Sequence, residues 1–346
     1  MTKKIGIITG NGQDSSYLAK LLLEKDYQVI IATRRSGSSN NWRLKELDID
    51  DHKNLKMVWC DITEFHAVCD LIKKHKPDEL YNLAAQSFVQ SSFNLPFATT
   101  NVNYIGHLNI LEAVRYYNPS TKIYFAATSE MFGEVQEIPQ TETTPFYPRS
   151  PYGISKLASY WLGVNYRESY DMFVSNGLLF NHESGLRGAE FVTRKITKKA
   201  VEINEAINNK EDFTPLVLGN LDALRDWGHA EDFVYAMWLM LQQDTPDDFV
   251  IATGVCYSIQ DFVDMSFHNL HIDLEWKGKE INKKAYYCDK IMVEVSEEFY
   301  RPTEVKLLQG DARKAKEVLG WELKHDIISL VNEMIGADIH RFTNKV

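Results

Sequence analysis

In the stretch "SPYGISKLASYW", residues 150–161, Tyr152 stands four positions ahead of Lys156. On a helix that spacing stacks the phenol and the ammonium on one face. Two readings are open: a lysine stem covering an aromatic ring, or a general base whose phenol is made more acidic by the adjacent positive charge. Tyr286 and Lys290 repeat the spacing, so the pattern alone does not choose. A second group of candidates lies upstream in "AATSEMFG", where the hydroxyls of Thr128 and Ser129 and the carboxylate of Glu130 follow an apolar run.

A glycine-rich loop supplies the third component. In "IITGNGQDSSYLA", Gly10 permits a tight turn after a strand. Gly12 lets backbone approach a pyrophosphate, and Gln13 and Asp14 open a helix whose free N–H groups favour an anion. The third position, usually a glycine, is Ser15. An ordinary strand-to-helix turn is the plain alternative. The next apolar run ends in "ATRRSGS", where an acid would select the ribose hydroxyls of NAD. Arg34 and Arg35 stand there instead, which favours NADP over NAD, with solvated surface arginines as the competing reading.

These residues need a scaffold, and the pattern names one. Apolar runs ("KIGIITG", "QVIIATR", "LKMVWCD", "ELYNLAA", "KIYFAAT") alternate with amphipathic segments through the first half. Runs of that kind suit strands buried on both faces, and strand–helix alternation makes the strands parallel. The expected fold class is α/β, a doubly wound parallel sheet of Rossmann-like type with a smaller, discontinuous C-terminal substrate domain. "MFVSNGLLF" and "DFVIATG" add strands around a helical insertion. The expected division is 1–181 plus about 225–256 for the dinucleotide, and about 182–224 plus 257–346 for the substrate. The stretch 277–298 reads as a loop or weak hairpin.

The chain has 346 residues, 44% of them hydrophobic, with a net charge of −10. That charge argues against general affinity for nucleic acid or an anionic membrane, while allowing a local basic pocket for one phosphorylated ligand. No apolar run approaches the roughly 20 residues of a membrane span, and a cytoplasmic location is expected. Cys60, Cys69, Cys256 and Cys288 form no CxxC pair and no histidine cluster shows ligand spacing. The expectation is reduced packing cysteines and no metal.

A hydroxyl at a strand end followed by YxxxK on the next helix resembles the short-chain dehydrogenase/reductase arrangement. Tyr286 and Lys290 lack the strand and the glycine loop. The resemblance implies that Lys156 holds the nicotinamide ribose and lowers the pKa of Tyr152. Tyr152 would then take the proton of a substrate hydroxyl, with Thr128 bonded to that hydroxyl. Glu130 adds something oxidation alone does not need. Once a sugar C4 hydroxyl is a ketone, the C5 proton is acidic, and a carboxylate can remove it and protonate a leaving C6 hydroxyl. A glutamate merely capping or salt-bridging a strand end is the bland alternative.

Longer runs narrow the resemblance. "GQDSSYLAKLLLEK", "TSEMFG", "VQEIPQTETTPFYPRSPYGISK", "NGLLFNHES", "RGAEFVTRKI", "LGNLDALRDWGHAEDFV" and "YRPTEV" resemble the GDP-mannose 4,6-dehydratase family. The resemblance implies a hydro-lyase with Thr128, Glu130, Tyr152 and Lys156 as its catalytic set. It places Asp61 and Ile62 beside the adenine, Leu83, Ala84, Ala85 and Ser87 along the cofactor, and His182 and Arg187 near its phosphates. Ser87, Ser129, Asn181, Val192, Lys195, Arg225, Arg301 and Glu304 would meet the GDP-sugar. Lys195, Arg225 and Arg301 supply charge suited to a diphosphate, and Glu304 can accept from guanine.

The chain also departs from the family pattern. Its glycine loop is one residue shorter, Phe88 stands for a histidine, Ala98 for a tyrosine and Leu186 for a basic residue. These changes lie near ligand positions, which keeps a GDP-manno-heptose in play beside GDP-mannose. A C4 epimerase or oxidase, and a dinucleotide sensor, are the other readings on this scaffold. The resemblance further implies a homo-oligomer, dimer or tetramer, in which "RRSGSSNNWR" reaches a neighbouring subunit's cofactor.

Overall fold

A computed structural model describes residues 3–36, 41–299, 303 and 305–344. The chain begins with β1 (Ile5–Thr9), α1 (Gln13–Glu24), β2 (Gln28–Thr33), α2 (Trp42–Glu46), β3 (Leu55–Trp59), α3 (Phe65–His75) and β4 (Glu79–Asn82). The short helices α4 (Val89–Asn94) and α5 (Pro96–Thr100) and a π-helical turn at Asn101–Ile105 lead into α6 (Gly106–Tyr117). Then come β5 (Lys122–Ala126), α7 (Pro151–Tyr170), β6 (Val174–Leu179), β7 (Asn181–Glu183), α8 (Val192–Asn209), β8 (Leu216–Leu218), β9 (Leu224–His229), α9 (Ala230–Gln242) and β10 (Phe249–Ile251). The last part holds β11 (Cys256–Ser258), α10 (Ile259–Asn269), β12 (Glu275–Lys277), β13 (Lys284–Tyr287), β14 (Lys290–Val295), β15 (Leu307–Leu308), α11 (Arg313–Leu319) and α12 (Ile327–Asn344).

Seven strands form one parallel sheet in the order β10-β6-β5-β4-β1-β2-β3. Ile7, Ile8, Leu80, Tyr81, Ile123 and Tyr124 are fully buried, as two-faced cover by helices requires. One apolar cluster joins the sheet to α1 and α9, and another joins its opposite face to α3 and α6. The order reverses between β1 and β4, and at such a switch point the carboxyl ends of the strands part to leave a crevice.

The smaller region rests on a third cluster from α8, α10 and α12. It carries β11-β9-β15, with β7 paired to β9, and the sheet β12-β13-β14-β8. β9 therefore pairs with the smaller region, while α9 and β10, which follow it, pack on the large sheet. The stretch 277–298 contains the β13–β14 hairpin, whose turn residues Cys288 and Asp289 have φ of 46° and 62°. That left-handed pair suits a two-residue type I′ turn. Tyr286 and Lys290 thus sit on two antiparallel strands and share no helix face. Cys288 is exposed on this turn, a correction to its expected packing role, because a left-handed hairpin corner projects into solvent. No helix among the described residues is long and apolar enough to cross a membrane.

Candidate active site

A cleft of about 1050 Å³ opens where the strand order reverses. It is lined by Gly10, Gly12, Gln13, Asp14, Arg34, Asp61, Ile62, Leu83, Ala84, Ala85 and Ser87 from the large sheet's strand ends. Thr128, Ser129, Glu130, Tyr152 and Lys156 form one wall, and Asn181, His182, Arg187, Val192, Lys195 and Arg225 face them. Arg35 is exposed and does not line it, a correction to the reading that paired it with Arg34. Arg301 and Glu304 lie outside the described residues.

Local sequence explains the catalytic wall. Ser150 caps α7 by accepting the Gly153 N–H at 3.0 Å, and Pro151 follows at the first helical position. This starts the helix so that Tyr152 and Lys156 enter the cleft together, both buried. β5 ends at Ala126, and Thr128 caps the short turn Ser129–Met131 by accepting the Glu130 N–H at 3.3 Å. A side chain at Gly153 would place its Cβ 2.7 Å from the Glu130 carbonyl oxygen. Only a glycine lets the first turn of α7 lie against the turn that carries Glu130.

The electrostatics differ from the sequence expectation. Burial pushes the Tyr152 phenol up to about 12, against a weaker opposite pull from the Thr128 hydroxyl bonded to it. Lys156 donates to the Ala126 carbonyl at 2.7 Å, and burial lowers it to about 7. Both shifts run against the expected lowering of Tyr152 by Lys156. Both groups lose hydration, and desolvation disfavours phenolate and ammonium alike.

On the opposite side the glycine loop is fixed by polar contacts. Gly10 has φ of 90° and would bring a Cβ to 3.3 Å from the Ala84 backbone, so no other residue suits this turn. The Thr9 hydroxyl accepts from Leu83 N and Ala84 N at 3.1 Å each and donates to Asn82 Oδ1. Asp14 lies 2.9 Å from His182 Nε2 and is held down at about 2, chiefly by His182, despite burial. Gln13 bonds Asp14, the His182 carbonyl and Ser184.

The residues fit a dinucleotide. Gly12 precedes the first turn of α1 with no side-chain cap, and a Cβ built on it meets nothing within 4 Å on the cleft side. Backbone N–H groups at the start of α1 are thus open to a pyrophosphate. On the far side, Lys195 lies over the Phe299 ring at 3.7 Å, and Arg225 is buried with Nη1 donating to Leu224 O at 2.9 Å.

The cleft also recruits residues that sequence reading did not single out. Arg43 reaches it from α2, buried, with Nε donating to Leu186 O at 2.8 Å. Glu183 lies beneath Arg187, whose Nε is 2.9 Å away. Arg187 also covers the Phe191 ring at 3.6 Å, and Phe88 meets that ring edge-on at 5.9 Å. Arg43 was legible only as the end of the "RRSGSSNNWR" segment, with no local signal that it turns inward.

The comparisons agree with this geometry. The family profile described as GDP-mannose 4,6 dehydratase matches residues 7–334. The chain is 47% identical to a GDP-mannose 4,6-dehydratase of Vibrio cholerae, covering 99% of this chain and 95% of that one. This chain belongs to the GDP-mannose 4,6-dehydratase family. A further member, the human GDP-mannose 4,6 dehydratase, is 48% identical over 97% of this chain and 92% of its own. Among solved structures, a dTDP-glucose 4,6-dehydratase of Streptomyces venezuelae with NAD bound superposes with a TM-score of 0.82 at 18% identity, covering 99% of this chain and 98% of that one. A UDP-glucose 4-epimerase of Thermotoga maritima gives 0.80 at 22% identity, covering 98% and 99%. At such identities the likeness establishes the fold alone, and it is a fold shared by that dTDP-glucose 4,6-dehydratase and that UDP-glucose 4-epimerase.

Proposed function

We propose that this chain is an NADP-dependent GDP-sugar 4,6-dehydratase that converts GDP-mannose into GDP-4-keto-6-deoxymannose. The observation that carries the reading is Glu130 on the same cleft wall as Thr128, Tyr152 and Lys156. Family membership supports GDP-mannose as the sugar nucleotide. Within this reading, residues 1–181 plus about 225–256 bind the dinucleotide, and about 182–224 plus 257–346 bind the nucleotide sugar. Gly10, Gly12, Gln13 and Asp14 cradle the pyrophosphate, Asp61 and Ile62 flank the adenine, and Arg34 meets a 2′-phosphate, with Arg43 as a second cation nearby.

A bound nicotinamide dinucleotide would supply reversible hydride storage between C4 and C6. Tyr152 takes the proton of the C4 hydroxyl, to which Thr128 is also bonded. Lys156 ammonium stabilises the Tyr152 phenolate that accepts this proton. Glu130 then removes the C5 proton, acidified by the C4 ketone, and delivers it to the C6 hydroxyl, which leaves as water. C5 regains a proton from Tyr152. One water is lost and the dinucleotide ends as it began.

GDP-manno-heptose, with one further carbon at C6, is the second substrate considered. Ala98 and Phe88, where the family pattern has tyrosine and histidine, both line the cleft. The protein is proposed to work in the cytoplasm as a homo-oligomer. Purified protein is incubated with each GDP-sugar and no reductant, and nucleotide-sugar mass is followed. Loss of one water without NADPH accumulation supports the dehydratase, and the faster substrate names the sugar. An unchanged mass with both sinks the reading in favour of the sensor or, where the recovered sugar is an isomer, the epimerase, and a loss of two hydrogens sinks it in favour of the oxidase.

A further inference from the structure

Away from the cleft, the fold assembles a group that no spacing in the chain announced. Among the described residues, one ligand atom each from His229, Glu231 and His325 lies within 4.8 Å of the other two. His229 ends β9, Glu231 is in the first turn of α9, and His325 precedes α12. The two imidazoles stack with centroids 4.1 Å apart.

Hydrogen bonds assign the nitrogens. His325 Nδ1 is 3.1 Å from Asp232 Oδ1, and an ionised carboxylate only accepts, so Nδ1 carries the proton. Nε2 faces Glu231 Oε2 at 3.9 Å, a gap too wide for a direct hydrogen bond, and offers a lone pair when the ring is neutral. His229 repeats the pattern. Its Nδ1 accepts the Glu231 N–H at 3.1 Å, and its Nε2 donates to the Glu333 carboxylate.

Each imidazole is therefore oriented by a carboxylate that holds its other nitrogen. This is the outer-shell arrangement that aligns histidines on a metal. Asp232 is itself fixed by the backbone N–H groups of Lys324 and His325, and Glu333 by Tyr17 and Gly185 N. Three carboxylates surround two imidazoles, a field that favours a dication.

We propose that His229, Glu231 and His325 form a binding site for a divalent transition-metal ion of the zinc class. Two imidazole nitrogens and one carboxylate suit such an ion. Tetrahedral bonds of about 2.0–2.1 Å place ligand atoms roughly 3.4 Å apart, so binding draws the three atoms together by rotation of the half-exposed Glu231 side chain and tilting of the stacked rings. Metal binding offsets the lost cap of α9. The ion clips the segment before α12 to the β9–α9 junction, next to the contact of His229 with Tyr17 of α1. The site is independent of the reaction proposed above.

The test titrates the full-length, chelator-treated protein with Zn²⁺ by calorimetry and with Co²⁺ by visible absorption. The variants are His325→Phe, which keeps an aromatic ring on His229, and Glu231→Gln. The expected result is one equivalent bound with a tetrahedral Co²⁺ spectrum and a Zn²⁺-dependent rise in Tm, all lost in both variants while dehydration turnover persists. Glu231→Gln, on a half-exposed side chain, carries the test if His325→Phe does not fold. No binding by the unaltered protein, or binding that survives either substitution, overturns the site.

Discussion

His182 Nε2 lies 2.9 Å from Asp14 Oδ2 while Nδ1 of the same ring lies 2.8 Å from the Phe180 carbonyl. Both partners accept only, so both nitrogens donate and His182 is an imidazolium. It neutralises a carboxylate at the very helix start that would receive a pyrophosphate, and it stacks on Phe233 at 4.5 Å. His182→Gln is expected to leave Asp14 uncompensated at a cost of about 3 kcal/mol, read by urea unfolding. Asp14→Asn together with His182→Gln should recover part of that loss in a double-mutant cycle. The histidine's pKa is raised by Asp14 and the Phe180 carbonyl against the opposing effect of burial. Its contribution is complete below pH 6.5 and disappears as pH rises through the raised value.

Glu130 separates dehydration from oxidation. Glu130→Gln is expected to lower dehydration turnover by about 10²–10⁴-fold and to abolish exchange of the C5 hydrogen with deuterated water. A single reduction of bound dinucleotide, followed at its absorption band, should persist. Full retention of dehydration would show that another group performs the elimination.

Lys156 at about 7 and Tyr152 at about 12 make a pair that carries a single proton between those values. The reactive form, ammonium beside phenolate, is one arrangement of that singly protonated pair. With the dinucleotide bound, kcat/KM for the GDP-sugar is therefore expected to rise through pH about 7 and then level. Lys156→Met should move the rise toward the tyrosine's own ionisation and depress the rate at neutral pH. An unchanged profile in the variant would remove Lys156 from this role.

His107 is wholly buried, stacked on Phe125 at 4.2 Å, with Nδ1 accepting from Asn82 Nδ2 at 3.0 Å. Burial, aided by the Lys156 charge, lowers it to about 3. The folded state thus resists a proton that the unfolded chain takes up near 6.5. Stability is complete above that pH and falls as pH drops toward about 3, by on the order of 5 kcal/mol at about 1.4 per pKa unit. His107→Leu should flatten this acid-side loss in denaturation curves measured from pH 7 to 4.

Gly153 sets the distance between the two halves of the catalytic wall. Gly153→Ala is expected to displace the turn bearing Glu130 and to reduce turnover by about 10²-fold, with Tm lowered as well. Wild-type turnover in this variant would mean that the turn moves without consequence.

Much of this molecule is local in origin. Buried strands need unbroken apolar runs, a capped helix needs a serine and a proline at its start, and a tight turn needs Gly10. "KIGIITG", "SPYGISK" and "GNGQDS" therefore announce the large sheet, the helix of Tyr152 and the cofactor loop without any knowledge of distant contacts. The same locality explains why Tyr286 and Lys290 mislead. Four-residue spacing carries meaning only on a helix, and a two-residue turn of left-handed backbone makes this one a hairpin. What depends on burial or on long-range approach was decided in three dimensions. Desolvation moves Tyr152 up and Lys156 down, the opposite of what their proximity suggests in water. Arg43 enters the cleft while Arg35 leaves it, because side-chain direction follows the path of the backbone. His325 comes to lie on His229, some 96 positions away in the chain, because the packing of α12 on α8 and α10 carries it there. No local signal encodes that last contact.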